Sequence, residues 1–370
     1  MKKFILFFGI AFLIQATSLS QSCLSERIIF TSQIQIDNFQ TNYPGCNVIE
    51  GDVSIDGEDI TNVNGLISLK TIEGNLSIDH CDGLTDLTGL DSVTSIGGCL
   101  AIQNNDALTS LSGLDNLTYI GEYLSISSND SLASITALNK LTSIGGFLNF
   151  YDNPSLISLS GLDHLISIRG DLHLELIPSL VSLSGLQNMT SIEGAIRIKR
   201  NIALTSLTGL ENVISVGEGI HIQNNPVLIN FTGLDNLTTI KGDFSIWENG
   251  IIDFTGLGNL ISIGEHLSIG ENDSLVNLTG LDNLTSIRYI GIDDNHSLTS
   301  IAGLHNVTST RGITIYGNVV LTSLSGLNNL TSFSEDLNIY YNHALTSLNG
   351  LENITSIGGN LHIYYNKSLS

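Results

Sequence analysis

Three groups of side chains in this 370-residue chain have types and spacings that could do chemistry. Tyr316, Tyr340 and Tyr364 recur 24 residues apart, with Tyr341 and Tyr365 beside the last two and Trp247 and Tyr151 further along. Stacked aromatic rings offer planar apolar area to a sugar ring or a partner's side chain, and they also stabilise a sheet as a cross-strand ladder. Arg197, Lys199 and Arg200 form the basic cluster, flanked at the same spacing by His173, Glu175 and His221. That spot suits an anionic sugar or acidic peptide, unless Glu175 and Lys199 satisfy each other as a cross-strand ion pair. Glu248, Glu271 and Asp294 recur 23 residues apart. Carboxylates stacked at ~5 Å would favour a cation or raised pKa values, and they resemble the pair of a retaining glycosidase. On an open face they are simply solvated. The nine histidines form no His-Glu-x-x-His pattern. No Gly-x-Ser-x-Gly elbow and no phosphate-binding glycine loop appears. The expectation is therefore no catalytic residue, no metal and no cofactor.

What must position these groups is a beat of glycine followed by leucine. It runs from Gly65 through Gly89 and Gly113 to Gly326 and Gly350, with Ala137 in the one slot lacking glycine. The interval is 24 residues and slips to 23 three times. A period in this range is the signature of a solenoid, whose coils bury their apolar faces only by stacking. Within one coil, Leu100 and Ile102 alternate with Ala101 and Gln103, the period of a strand. Leu108, Leu111, Leu114, Leu117 and Ile120 follow at three-residue spacing, which suits short extended pieces joined by bends. The expected fold is all-β: a right-handed β-solenoid of about thirteen coils, with one clear strand and two shorter extended segments per coil.

Laying coils in register separates scaffold from surface. An asparagine ladder runs from Asn105 and Asn129 to Asn342 and Asn366, interrupted at Ile177. Its expected role is to bond backbone groups left unpaired at a bend. A second ladder, from Asn188 to Asn353, sits after the Gly-Leu pair, and the repeat itself generates its Asn-x-Ser/Thr sequons. Outward Ser and Thr positions such as Thr109, Ser110, Thr205 and Ser206 barely change between coils. An ice-ordering role for them is disfavoured because they fall at bends. Outward positions on the Leu100-type strand vary freely, as a recognition face requires and as an unconstrained surface permits.

Net charge is −23 with only 13 Lys and Arg, which argues against nucleic acid as a partner because phosphate binding needs clustered cations. Residues 1–20 read as a signal peptide: Lys2 and Lys3, then the apolar run Phe4 to Ile14, then small residues. No later run is long enough to span a bilayer. Cys23 and Cys46 bracket the one non-repetitive segment, residues 21–50, and a disulfide there is expected, with lipidation of Cys23 the alternative. Cys81 stands in the asparagine ladder and reads as a buried free thiol. Pairing it with Cys99 looks geometrically awkward. Ser32-x-x-Gln35 reads as a capping box opening a short helix with Ile36 and Phe39 on its apolar side. Residues 51–370 are the repeat solenoid, and the sequence ends at Ser370 midway through a coil.

Gln35-Ile36-Asp37-Asn38-Phe39, Tyr43-Pro44-Gly45-Cys46, Ile49-Glu50-Gly51-Asp52-Val53-Ser54-Ile55 and the repeated Leu-Thr-Ser-Ile-Gly-Gly carry a resemblance. The chain resembles bacterial secreted proteins with receptor L-domain-like leucine-rich repeats. The resemblance implies a secreted or cell-surface binding protein, sometimes with a C-terminal sorting domain that this sequence does not show. The combined expectation is an exported, non-enzymatic adhesion or binding module for extracellular glycans or proteins. Its binding residues would be Tyr316, Tyr340, Tyr364, Tyr341, Tyr365, Trp247, Arg197, Lys199, Arg200 and His221. A polysaccharide-active enzyme centred on Glu248, Glu271 and Asp294 is the alternative.

Overall fold

Leucines three residues apart do not fit a strand, and the chain meets this with consecutive tight turns. In a computed structural model, which describes residues 22–370, the Leu108 N–H donates to Asn105 O, Leu114 to Leu111 O and Leu117 to Leu114 O, each at 3.0 Å. Each such turn brings one side chain inward per three residues. Leu108, Leu111, Leu114, Leu117 and Ile120 are all fully buried. The signal peptide read at residues 1–20 lies outside the described residues.

The period-2 stretches form the strands. Each regular coil has two: a long one such as Leu100–Gln103, with Leu100 and Ile102 buried, and a two-residue one such as Ser95–Ile96. Long strands stack in register from Ile28–Phe30 to Leu361–Tyr364, all parallel. The result is a parallel β-solenoid of about fourteen turns, slightly more than expected. The second strand was not legible as such, because two residues are too few to show an alternation.

Two backbone devices recur in every regular coil. After each long strand one residue takes a left-handed conformation, as Asn104 (φ 54°), Asp152 (φ 51°) and Arg200 (φ 56°) do. The ladder asparagine straps this bend. Asn105 Nδ2 donates to Gln103 O (2.7 Å) and to Ile78 O of the preceding coil (3.1 Å), and its Oδ1 accepts the Cys81 N–H (3.0 Å). Ile177 is buried in this ladder and still donates its N–H to Asn201 Oδ1 at 2.9 Å, but it brings no amide of its own. Cys81 is buried, unpaired and pushed up to about 11 by desolvation.

The second device is the glycine of the beat. Gly113 has φ +108°, and a Cβ there would collide with the Leu87 carbonyl of the coil before. Ala137 escapes this because its coil makes a 3-10 turn, Thr136–Leu138, without positive φ. The Ser/Thr rows are also scaffold: Thr109 Oγ1 donates to Thr85 O (3.1 Å) and Thr142 Oγ1 to Thr118 O (3.2 Å). The second asparagine ladder does the same, with Asn188 Nδ2 on Asp163 O at 2.6 Å.

At the start of the described chain, Ser22–Cys23 and Ile28–Phe30 already pair with Val48–Ile49 and Val53–Ile55. Between them Gln33–Asp37 and Phe39–Asn42 form two short helices that bury Ile36 and Phe39 against the 3-10 turn Asn64–Leu66. Cys23 and Cys46 are disulfide-bonded, which excludes lipidation of Cys23 in this state. The capping box is only half made. Ser32 caps nothing with its side chain, and Gln35 Oε1 accepts instead from Thr31 N–H at 2.6 Å. The Gln33 N–H, at the start of the first helix, goes to Asp59 Oδ2 at 3.3 Å, so the adjacent coil supplies a cap that Ser32 does not.

Candidate functional site on the long-strand face

Because each long strand buries alternate residues, its other residues form two outward rows, and neighbouring coils bring equivalents side by side at strand spacing. The central row is mostly small and polar, as at Ser125, Ser245, Ser268 and Thr314, with His173, Arg197 and His221 rising in mid-face. The outer row holds Tyr151, Glu175, Lys199, Trp247, Asp293 and Tyr316.

The tyrosines do come together. Tyr340 stacks on Tyr364 (centroids 4.9 Å, 13°) and lies 5.0 Å from Tyr316. Tyr341 stacks on Tyr365 (4.9 Å, 26°) in the left-handed row, and Tyr316 meets Tyr341 edge-on at 5.7 Å. Tyr365 is 64% exposed, and Tyr364 and Tyr341 are also open to solvent. Asp294, followed by burial, raises the Tyr316 hydroxyl above its usual range. Trp247 and Tyr151 share the outer row but belong to other coils and do not join this patch.

The basic cluster is wired differently from expectation. Lys199 is in register with Glu175, yet Glu175 is taken by Arg200 Nη1 (3.3 Å) and His173 Nε2 (3.0 Å). Arg200 sits in the left-handed position just beyond the strand, which aims it back at Glu175. Arg197 pairs with Asp171. Among the described residues, Lys199 has no carboxylate within ion-pair distance. His221 is lowered, first by desolvation and then by Arg197, so it adds no charge to the cluster at neutral pH.

Glu248, Glu271 and Asp294 all occupy the left-handed row (φ 55°, 53° and 51°). That row lies just beyond the outer strand row, and Glu271 is exposed. Glu248 accepts from Gln223 Nε2 at 3.4 Å. The shallow depression that Glu248 and Glu271 border also takes in His296, which bonds Asp273 at 2.6 Å. Among the described residues no three His, Cys, Asp or Glu side chains are grouped to hold a metal ion.

One feature of the face was not foreseen. Three residues, Gly264 to His266, turn the corner from Ile263 to Leu267, but only Arg288 and Tyr289 join Ile287 to Ile290. Likewise only Arg311 and Gly312 join Thr310 to Ile313. Short and long strands run on as one in Ser262–Gly270 and Ser286–Asp293, with a register shift between Ile263 and His266. Over the fusion lies an open hollow of about 480 Å³, bordered by His266, Ser268, Tyr289, Gly291, Asp293 and Thr314. Asp293 Oδ1 is buried without a hydrogen-bond partner. Burial, then the neighbouring Asp294, pushes this carboxyl up to about 7. The available signal was the beat itself, whose last two 23-residue intervals, Gly280 to Gly303 and Gly303 to Gly326, span these two corners.

Comparisons with known proteins agree with this architecture. Residues 70–123 match the receptor L domain family, and residues 238–369 match the BspA type leucine rich repeat region in six copies. No curated protein matches. Among solved structures, a chain of the "Crystal structure of TLR13-ssRNA13 complex" is 16% identical with a TM-score of 0.34, over 92% of this chain and 55% of that one. This chain thus spans about half the length of that protein. The resemblance to receptor L-domain-like leucine-rich repeats is borne out over the matched residues. Among the described residues no helix is long and apolar enough to cross a membrane.

Proposed function

We propose that this chain is an exported, non-enzymatic adhesion or binding module that engages glycans or proteins outside the cell through its long-strand face. One observation carries the reading: five tyrosines converge on one patch and leave much of their ring area in solvent. Tyr341 and Tyr365 also sit in left-handed backbone, where a bulky L-residue costs on the order of 1–2 kcal/mol. The ladder asparagines hold that conformation, and the rings it carries stand in solvent where a partner can lie on them. Arg197, Lys199 and Arg200, with Trp247, extend the same face away from the patch.

Export is supported by the Lys2-Lys3 and apolar start of residues 1–20 and by the Cys23–Cys46 disulfide, which persists in oxidising compartments. In this reading residues 21–50 serve as cap and 51–370 as the displayed solenoid. The net charge of −23 disfavours polyphosphate partners and keeps a long β-surface from self-association. The test replaces Tyr316, Tyr340 and Tyr364 together by Ser and screens both proteins on glycan and surface-protein arrays. Loss of a wild-type signal, with circular dichroism and melting unchanged, is the expected result. An unchanged array profile would refute the patch as the binding site.

A further inference from the structure

The hollow over the fused strands has the properties of a ligand site distinct from the tyrosine patch. Its floor is Gly291, where an added Cβ would meet nothing closer than Asp293 Oδ2 at 3.5 Å. The Tyr289 ring bounds it by leaning over a neighbouring coil's glycine. The Tyr289 ring lies over Gly312, whose Cβ would come within 2.7 Å of Cε2, and its hydroxyl bonds Thr314 Oγ1 at 2.7 Å. The Trp247 ring covers Gly270, the in-register neighbour of Asp293. His266 lies 5.6 Å from Tyr289, ring to ring.

The polar groups narrow the ligand. Asp293 Oδ1 is buried with no donor, and a buried acceptor without a partner costs about 1–3 kcal/mol. Ser268 and Thr314 add hydroxyls on the same floor. The charges at the rim are matched: Arg288 bonds both oxygens of Glu265, one at 2.7 Å, and Arg311 lies 3.8 Å from Glu335. An anion finds no unpaired cation here, and a cation faces two guanidinium groups. A neutral molecule with several hydroxyl groups and one apolar face meets every requirement, and about 480 Å³ is in the size range of small-ligand sites.

We propose that the hollow over Gly291 is a subsite for one neutral pyranose ring. Asp293, Ser268 and Thr314 would bond its hydroxyls, and the Tyr289 ring would bound its apolar face. This names a ligand class for a second part of the long-strand face, and it stands whether or not the tyrosine patch binds anything.

Trp247 is the chain's single tryptophan, so its fluorescence reports on this neighbourhood alone. The full chain is titrated with the methyl α- and β-pyranosides of glucose, galactose and mannose, following Trp247 emission and saturation-transfer NMR. At least one glycoside is expected to saturate both signals. Gly291→Val, which fills the hollow where there is room for a side chain, should weaken it by about tenfold or more, as should Asp293→Leu. The double Tyr364 and Tyr365→Ser protein, altered at the far end of the patch, should bind it as wild type does, so failure of this site and failure of the patch are separable. The inference is overturned if no glycoside saturates, or if binding survives Gly291→Val. Saturation by n-butylammonium in place of the glycosides would also overturn it, by identifying an ammonium site.

Discussion

The coils around residues 100–224 and those around residues 286–316 share one backbone plan and differ by a residue at one corner. In the first set, three residues such as Gly145 to Phe147 separate the short from the long strand. The ladder asparagines then bond the carbonyl and amide groups that the bend after the long strand leaves unpaired. In the second set two residues turn that corner at Arg288–Tyr289 and Arg311–Gly312, the Tyr289 ring folds over Gly312, and Asp293 is left with an oxygen that no protein group satisfies. A repeat that answers all its own hydrogen-bonding demands has little left to offer a ligand. A repeat with a gap does.

The comparison breaks most sharply at the glycines. Gly113→Val should cost more than about 3 kcal/mol, because positive φ and contact with the Leu87 carbonyl both forbid a side chain. Gly291→Ala should stay within about 0.5 kcal/mol, since open space receives its Cβ. Chemical denaturation of both proteins measures the contrast, and equal losses would mean that Gly291 is structural. Next in size is the ladder. Asn225→Leu removes the partner of the Asn201 N–H and of the Ile198 and Gln223 carbonyls and should cost about 2–3 kcal/mol. Ile177→Asn, at the ladder's own interruption, should change stability by less than about 1 kcal/mol. A large stabilisation there would show the interruption to be a defect.

The pH dependence is a smaller effect. The Asp293 carboxyl is raised by burial and by Asp294, and Tyr316 and Tyr340 face it from the next coils. The other charged or titratable groups around its hollow are Glu265, His266, Arg288, Arg311, Glu335 and Tyr289. A carboxyl whose folded pKa stands near 7, above the unfolded 3.8, favours the fold fully below about pH 4 and loses that contribution as pH climbs to 7. Asp293→Asn removes this loss. The variant should therefore gain about 1–3 kcal/mol over wild type at pH 8 and nothing at pH 4, measured by urea unfolding at both values. A gain of the same size at both would assign the effect to something other than ionisation. Smallest is Arg288→Ala, whose partly exposed pair with Glu265 should be worth under about 1 kcal/mol.

Much of this was open to reading before any coordinates. The Gly-Leu beat marked the coils, and Asn105 and its equivalents stood out as scaffold because an amide was the residue kept at that bend. The left-handed row did not stand out, since His80, Leu176, Arg200 and Tyr341 share no type. Its conformation recurs even beside Cys81 and Ile177, so the bend after the strand imposes it and it leaves no mark on composition. Glu175 and Lys199 were placed in register correctly, but register does not say where a side chain turns, and Arg200 reached the carboxylate. The hollow was written into the beat as two short intervals, whose meaning depends on which corner lost the residue.

By itself, then, the sequence determined the solenoid, its stacking register, its buried leucine rows and the face free to vary. These follow from periodicity, because each coil repeats the same local turns and adds to its neighbour. The tertiary structure alone decided that Tyr341 stacks on Tyr365, that Glu175 belongs to Arg200, and that Asp293 borders an open space. Those outcomes depend on side chains from different coils competing for the same few ångströms, and no period along the chain encodes that competition.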